Sequence, residues 1–248
     1  MDGDDTIAAR AAMVEEIAVE VEGTSNWLGK DSLDARVMAA MEKVARHLFI
    51  SEASRPEASR TETSRKSAYA NRPLPIGHGQ TISQPYIVAV MTDLAAPGPN
   101  DRVLEIGTGC GYQTAVLAEL AARVYSVEVV PELARPAAER LRRLGYSNVE
   151  TRIGDGARGW PEHAPYEAIV VTAAAWRRIP PALIDQLAPG GRLVVPVDRS
   201  RSAARTPFTD QEQDLLLVTK DEKGRTSERK MLPVAFVPLV EGGQNARR

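Results

Sequence analysis

Apolar residues recur at helical spacing in two early stretches. Between residues 7 and 22 they fall at Ile7, Met13, Val14, Ile17, Val19 and Val21, which predicts an amphipathic helix ended by Gly23 as its C-cap. A second stripe, Val37, Met38, Met41, Val44 and Leu48, predicts a helix from Ser32 or Leu33 to about Leu48, with Ser32 as its cap. The pattern then stops. Residues 53–67 read ASRPE-ASRTE-TSRKS, a near-repeat without one large apolar side chain. Such a segment buries too little surface to offset its ordering entropy, so a mobile surface insertion is expected. In residues 69–85 (YANRPLPIGHGQTISQP), Pro73, Pro75, Gly77 and Gly79 exclude a helix and predict a shaped loop. Ser83 is the expected N-cap of the next helix, with Pro85 in its first turn. That helix reaches about Leu94 on the stripe Tyr86, Ile87, Val90 and Met91.

From residue 103 the periodicity changes to short apolar runs alternating with helical stripes. Strands are expected at 102–106, 124–128, 148–153, 167–172 and 191–197, and helices at 111–121, 131–144 and 180–188. Strand–helix alternation implies a parallel sheet with helices on both faces. Pro189-Gly190-Gly191 reads as a turn into the fifth of these strands, and residues 198–212 read as polar and irregular. Two more strands, about 214–220 and 229–237, flank a turn around Asp221–Gly224 and predict an antiparallel pair closing the sheet. The tail after Val240 is expected to fray. The fold class is therefore α/β, doubly wound, with a mostly parallel seven-stranded sheet, an N-terminal helical extension and a C-terminal antiparallel hairpin.

Composition narrows the function classes. The chain has 248 residues, 43% hydrophobic and 26% charged, with 31 basic and 33 acidic residues and a net charge of -2. A nucleic-acid binder usually carries a basic footprint, which this balance lacks. No apolar run reaches the roughly 18 residues that span a membrane. One cysteine, Cys110, excludes an intrachain disulfide and fits a reducing, cytoplasmic compartment. The three histidines, His47, His78 and His163, are far apart, so no metal site is expected.

The chemistry begins at Val103–Ala118 (VLEIGTGCGYQTAVLA), a strand, a glycine loop and a helix start. A dinucleotide fingerprint needs G-x-G-x-x-G, which would put its third glycine at position 112, where Tyr112 stands. Gly107, Gly109 and Gly111 instead give G-x-G-x-G, a spacing common in S-adenosylmethionine-dependent methyltransferases, with Thr108 between the first two. Glu128 ends the second strand, 128 − 107 = 21 residues after the first glycine, where a carboxylate can accept both ribose hydroxyls. Asp155, between Gly154 and Gly156 after the third strand, is placed to accept from an adenine amino group, or is a plain turn aspartate. At the fourth strand's end, Val171-Thr172-Ala173-Ala174-Ala175 offers no acceptor for an amine N–H and leaves room for a compact group. His78 and Trp160 read as structural, and Cys110 as a small neutral filler.

PLPIGHGQTISQP (73–85), VLEIGTGCGYQTAVLA (103–118), GDG (154–156), IVVTAAA (169–175) and GGRLVVPV (190–197) together resemble the protein-L-isoaspartate O-methyltransferases, from Met13 to about Leu239. The resemblance implies a Rossmann-like domain that takes S-adenosyl-L-methionine and methylates the α-carboxylate of isoaspartyl residues in peptides and damaged proteins. The ester then collapses to a succinimide. By the same resemblance Ser83 is the active-site residue that orients the carboxylate. Gln80, Thr81 and Ile82 line the donor and substrate sites, Gly156 joins the donor site, and Gln213 reaches in from the C-terminal strands. No nucleic acid or membrane partner is implied. The expected organisation is a single domain, 1–248. It comprises N-terminal helices (1–52), the insertion (53–67), a substrate loop (69–85), a donor-binding core (86–197) and C-terminal strands (198–240). Departures from the family pattern lie in the insertion, at Ala45 for a proline, at Ala70-Asn71 for an acidic pair, and in the long 198–212 segment. The altered rim leaves one alternative, methylation of a normal aspartate in a dedicated precursor peptide; donor binding without catalysis is a second, against which the intact Ser83, Glu128 and Asp155 argue.

Overall fold

Residues 4–50, 66–200 and 212–240 are described by the computed structural model. The two early stripes form α1 (Asp4–Gly23), α2 (Ser25–Leu28) and α3 (Ala35–Lys43), followed by a 3-10 turn over Arg46–Phe49. Met13, Ile17 and Val21 of α1 and Val37, Ala40 and Met41 of α3 are buried. Ile7 and Val19 are 49% and 68% exposed, so the buried stripe of α1 is narrower than its apolar content. Gly23 is not the left-handed cap. The chain continues into α2, and Gly29, at φ 76°, makes that cap. Nor does Ser32 cap the next helix. Asp34 does, its side chain accepting from the Arg36 N–H at 2.8 Å, and α3 stops at the extended Val44 instead of running to Leu48.

The expected loop at 69–85 contains a hairpin, β1 (Leu74–Gly77) and β2 (Gln80–Ile82), with Gly77 paired to Gln80. Its two connecting residues, His78 and Gly79, both have positive φ, as tight hairpin turns require. Pro85 opens α4 (Pro85–Ala95), whose N-cap residue is Gln84, not Ser83. The free Tyr86 N–H at this helix start donates to Asn71 Oδ1 at 3.0 Å, so Asn71 serves as an external cap.

The alternating region gives β3 (Arg102–Ile106), α5 (Tyr112–Ala118), β4 (Arg123–Glu128), α6 (Pro131–Arg143), β5 (Val149–Ile153), β6 (Tyr166–Val171), β7 (Ala175–Trp176), α7 (Pro181–Asp185) and β8 (Leu187–Asp198). β9 (Gln213–Lys220) and β10 (Thr226–Pro233) complete the chain. The sheet order is β10-β9-β8-β6-β3-β4-β5, with the two-residue β7 beside the end of β8. β8, β6, β3, β4 and β5 are parallel, and β9 and β10 are antiparallel. Both faces are covered. Val103, Val124, Ala168 and Val194 pack toward α1, α3, α4 and α5, whereas Leu104, Ile106, Ile169 and Leu193 pack toward α7.

Two boundaries move. Pro189-Gly190-Gly191 lies within β8, where pairing jumps from Tyr166–Leu187 to Ala168–Arg192; the expected turn is a bulge. β10 ends at Pro233, not at residue 237, and residues 234–240 cross the carboxyl end of β6, with Ala174 N–H donating to Val237 O and Leu239 N–H to Ala174 O, both at 2.8 Å. The expectations for the insertion core (53–65), for 201–211 and for the tail after Val240 fall outside the described residues.

Candidate active site

The carboxyl ends of β3, β4 and β6 open into one cleft. Its floor is the loop Gly107–Cys110 between β3 and α5, its sides are Val127–Val130 after β4 and Thr172-Ala173 after β6, and its roof is Ile76 with Gln80–Ser83. Val237–Val240 close the remaining side. The space between these walls is about 820 Å³, counting its solvent-open mouth.

The loop is built for close approach. Gly107 has φ 96°, and a Cβ there would run into Thr172 Oγ1, which itself donates to Gly107 O at 2.7 Å. Thr108 Oγ1 shares a 2.5 Å hydrogen bond with Ser126 Oγ beneath the loop. Gly111 does not line the cleft; it starts α5 in the left-handed conformation against Leu141. Glu128 is 6% exposed and lines the cleft. Its Oε2 accepts from Gly109 N–H at 2.7 Å and its Oε1 from Val130 N–H at 3.0 Å, and each oxygen keeps a lone pair for a ligand hydroxyl.

Below the loop, Glu105 is wholly buried, with Oε2 accepting from Thr114 Oγ1 at 2.5 Å and Ser126 Oγ at 2.6 Å. Burial pushes its carboxyl up to about 8, which favours its neutral form. Burial also raises the Cys110 thiol, consistent with an inert filler.

Asp155 stands apart from the cleft wall; its Oδ1 accepts from Ala157 N–H at 3.0 Å, capping a 3-10 turn, and only its neighbour Gly156 lines the cleft. Gln213 also stays out. Its amide is buried against Phe236, accepting from the N–H at 2.7 Å and donating to the O at 3.1 Å. It braces the segment that closes the cleft instead of entering it. His78 sits in the hairpin turn, and Trp160 packs edge-on to Tyr125 at 5.7 Å.

A second cleft shares Thr81, Ser83, Thr172 and Val237 with the first. It continues between the helical extension (Glu20, Thr24, Trp27), the start of α4 and residues 232–237. Ser83 therefore stands in the wall common to both. Its hydroxyl has no partner among the described residues, while its carbonyl accepts from Arg46 Nη2 at 2.9 Å. Glu20 is held in place by Asn71 Nδ2 at 2.7 Å and Gln84 Nε2 at 3.1 Å. Ile76, Val129, Leu133, Glu20 and Val237–Val240 had not been expected here. The one sequence signal for the last group was the pair Pro233 and Pro238, which argues against a central strand reaching residue 237. Among the described residues no group of His, Cys, Asp and Glu is arranged to hold a metal ion.

This arrangement suits a donor lodged by its nucleoside end. Apolar walls at Ile76, Ile106, Val127 and Leu133 can sandwich a flat ring, Glu128 can take hydroxyls, and the reactive end would point to the wall shared with the second cleft.

Comparison with known proteins identifies the family. The profile of the family Protein-L-isoaspartate(D-aspartate) O-methyltransferase (PCMT) matches residues 29–244. Protein-L-isoaspartate O-methyltransferase 2 of Syntrophobacter fumaroxidans is 56% identical over 235 residues, covering 95% of this chain and 87% of its own. Protein-L-isoaspartate O-methyltransferase 1 of Cupriavidus necator is 53% identical over 238 residues, covering 96% and 84%. A solved protein-L-isoaspartate O-methyltransferase superposes with a TM-score of 0.71 at 25% identity, over 93% of this chain and 66% of that one. A Plasmodium falciparum chain assigned to the same activity, in complex with S-adenosyl-L-homocysteine, shares the fold with a TM-score of 0.71 at 22% identity, over 93% and 98%.

Proposed function

The chain belongs to the protein-L-isoaspartate(D-aspartate) O-methyltransferase family, and from that premise we propose how its residues divide the work. The activity is S-adenosylmethionine-dependent O-methylation of the α-carboxylate of isoaspartyl residues in peptides and proteins, which initiates repair through a succinimide. When bound, the donor supplies a methyl carbon carried on a sulfonium. The acceptor carboxylate, with an ordinary pKa of about 3.3–3.7, is already ionised at neutral pH. No base is required, and what remains for the chain is to hold, orient and desolvate.

Glu128 receives the ribose hydroxyls, and Gly107, Thr108 and Gly109 let the donor lie against the backbone. Ser83 orients the acceptor carboxylate by donating its hydroxyl, with Thr81 beside it. Gln80 and Ile82 belong to the same roof, and Gly156 supports the base-side wall. Orientation of this kind can contribute several kcal/mol to a methyl transfer. The observation that supports these assignments is the shared wall, where the Ser83 hydroxyl, without a partner among the described residues, stands between the cleft lined by the glycine loop and Glu128 and a second cleft of about 1290 Å³, counting its open mouth. We also read the protein as cytoplasmic and as taking no nucleic acid, on its lone cysteine and nearly balanced charge; among the described residues no helix is long and apolar enough to cross a membrane.

The test is methyl transfer from labelled donor to matched peptides bearing isoaspartate or aspartate. Base-labile label on the isoaspartyl peptide alone is the expected result. Label on neither peptide while the donor still binds would replace catalysis with a binding role.

A further inference from the structure

The acceptor is an anion, yet neither cleft carries a lysine, arginine or histidine among its described lining residues; the charged groups there are the carboxylates of Glu20 and Glu128. Removing a carboxylate from water into such walls is costly unless a positive charge or strong donors meet it. The sulfonium offers one charge, but it disappears as the methyl moves.

A second positive charge lies directly behind Ser83. Arg46 is fully buried in the 3-10 turn after α3. Its guanidinium donates to three backbone carbonyls, Ala68 O, Arg72 O at 3.2 Å and Ser83 O at 2.9 Å. Among the described residues no carboxylate pairs with it, and its Nε is buried without a partner. Arginine stays protonated in proteins, so this is a buried cation with no counter-ion among the described residues. Three carbonyl dipoles solvate it, but its net charge is uncompensated until an anion arrives. Ser83, whose carbonyl it grips, faces the shared wall.

Resting on the reading of Ser83 given above, we infer that Arg46 is a positioning residue whose charge, transmitted past Ser83, is the fixed counter-charge of the acceptor carboxylate. Its sign has a consequence for turnover. The attraction is present while the acceptor is a carboxylate and vanishes when the neutral ester forms. Arg46 therefore favours acceptor binding and product release, and does not accelerate the transfer itself.

The experiment uses the complex with S-adenosylhomocysteine, which has no sulfonium, and titrates two peptides: one with the isoaspartyl α-carboxylate, the other with that group as its neutral α-amide. The wild-type complex should bind the carboxylate peptide about tenfold more tightly, and Arg46→Gln should lose most of that preference while binding the amide within about twofold of wild type. Arg46→Lys, which keeps a charge but not the three-carbonyl grip, should retain part of the preference even if both peptides bind less well. Equal losses on both peptides in Arg46→Gln would reduce Arg46 to a structural clamp. Absence of any carboxylate preference in the wild type would overturn the proposal without needing a variant that folds. Failure of the wild type to methylate the isoaspartyl peptide would instead strike the functional reading beneath it.

Discussion

Ser83 and Glu105 illustrate how single side chains here are fixed by neighbours distant in sequence. Ser83 is legible as special from its place before Pro85, but the structure gives the cap position to Gln84 and the capping bond to Asn71, and the Ser83 hydroxyl has no partner among the described residues. Ser83→Ala should therefore lower kcat by about 10- to 100-fold, the worth of one hydrogen bond to a charged group, with little change in donor affinity. Measuring kcat alongside donor binding by calorimetry checks this, and parallel losses in both would remove Ser83 from its role. Glu105 reads in sequence as one letter of a strand; only the fold places it in the dry space under the glycine loop. Its folded value of about 8 stands above the ordinary 4.5. The stability it contributes is thus fully present below about pH 4.5 and is lost as pH rises through 8. Glu105→Gln should flatten the fall in unfolding free energy across that window by up to about 1.4 kcal/mol per pH unit. Urea midpoints at several pH values report it, and superimposable pH profiles for the two proteins would contradict the burial argument.

Among the elements, the ones that read poorly are those set by tertiary partners. The hairpin of β1 and β2 looked like a loop because two prolines and two glycines dominate its letters, yet its turn at His78 and Gly79 supplies the positive φ angles that two short strands need. β10 ends short of its apolar run for a related reason. An apolar run continues past Pro233, but Gln213 on β9 captures both backbone groups of Phe236 with its side chain, a substitute for a strand ladder that no periodicity announces. Gln213→Leu would leave those groups buried and unpaired, at about 1–3 kcal/mol each. For the two groups together we expect the melting temperature to drop by at least about 4 °C at this chain length. Because Val237 lines both clefts, the Michaelis constants for donor and acceptor should rise together. A change confined to the acceptor would mean that residues 234–240 do not form a common wall.

At the scale of the molecule, the doubly wound core was readable because parallel strands covered on both faces appear as apolar runs, and the helices between them as stripes. What could not be read was how segments far apart converge. The donor cleft draws on residues 76, 80–83, 106–110, 112–113, 127–130, 133, 172–173 and 237–240, so a ligand there ties the hairpin, the sheet and the C-terminal crossing segment into one unit. A ligand that binds only the folded form stabilises it by about 2.7 kcal/mol at a concentration of 100 times its Kd. For a chain of this size that is an upward shift of roughly 5–10 °C in Tm. S-adenosylhomocysteine should produce such a shift in a single calorimetric transition, since the N-terminal helices pack on α4 within the same core as β3. Glu128→Gln should need a higher ligand concentration for the same shift, because it weakens the seat for the ribose. Two transitions, with only the later one moving on ligand addition, would show that the helical extension melts apart from the donor site and that the second cleft can be lost while the first remains.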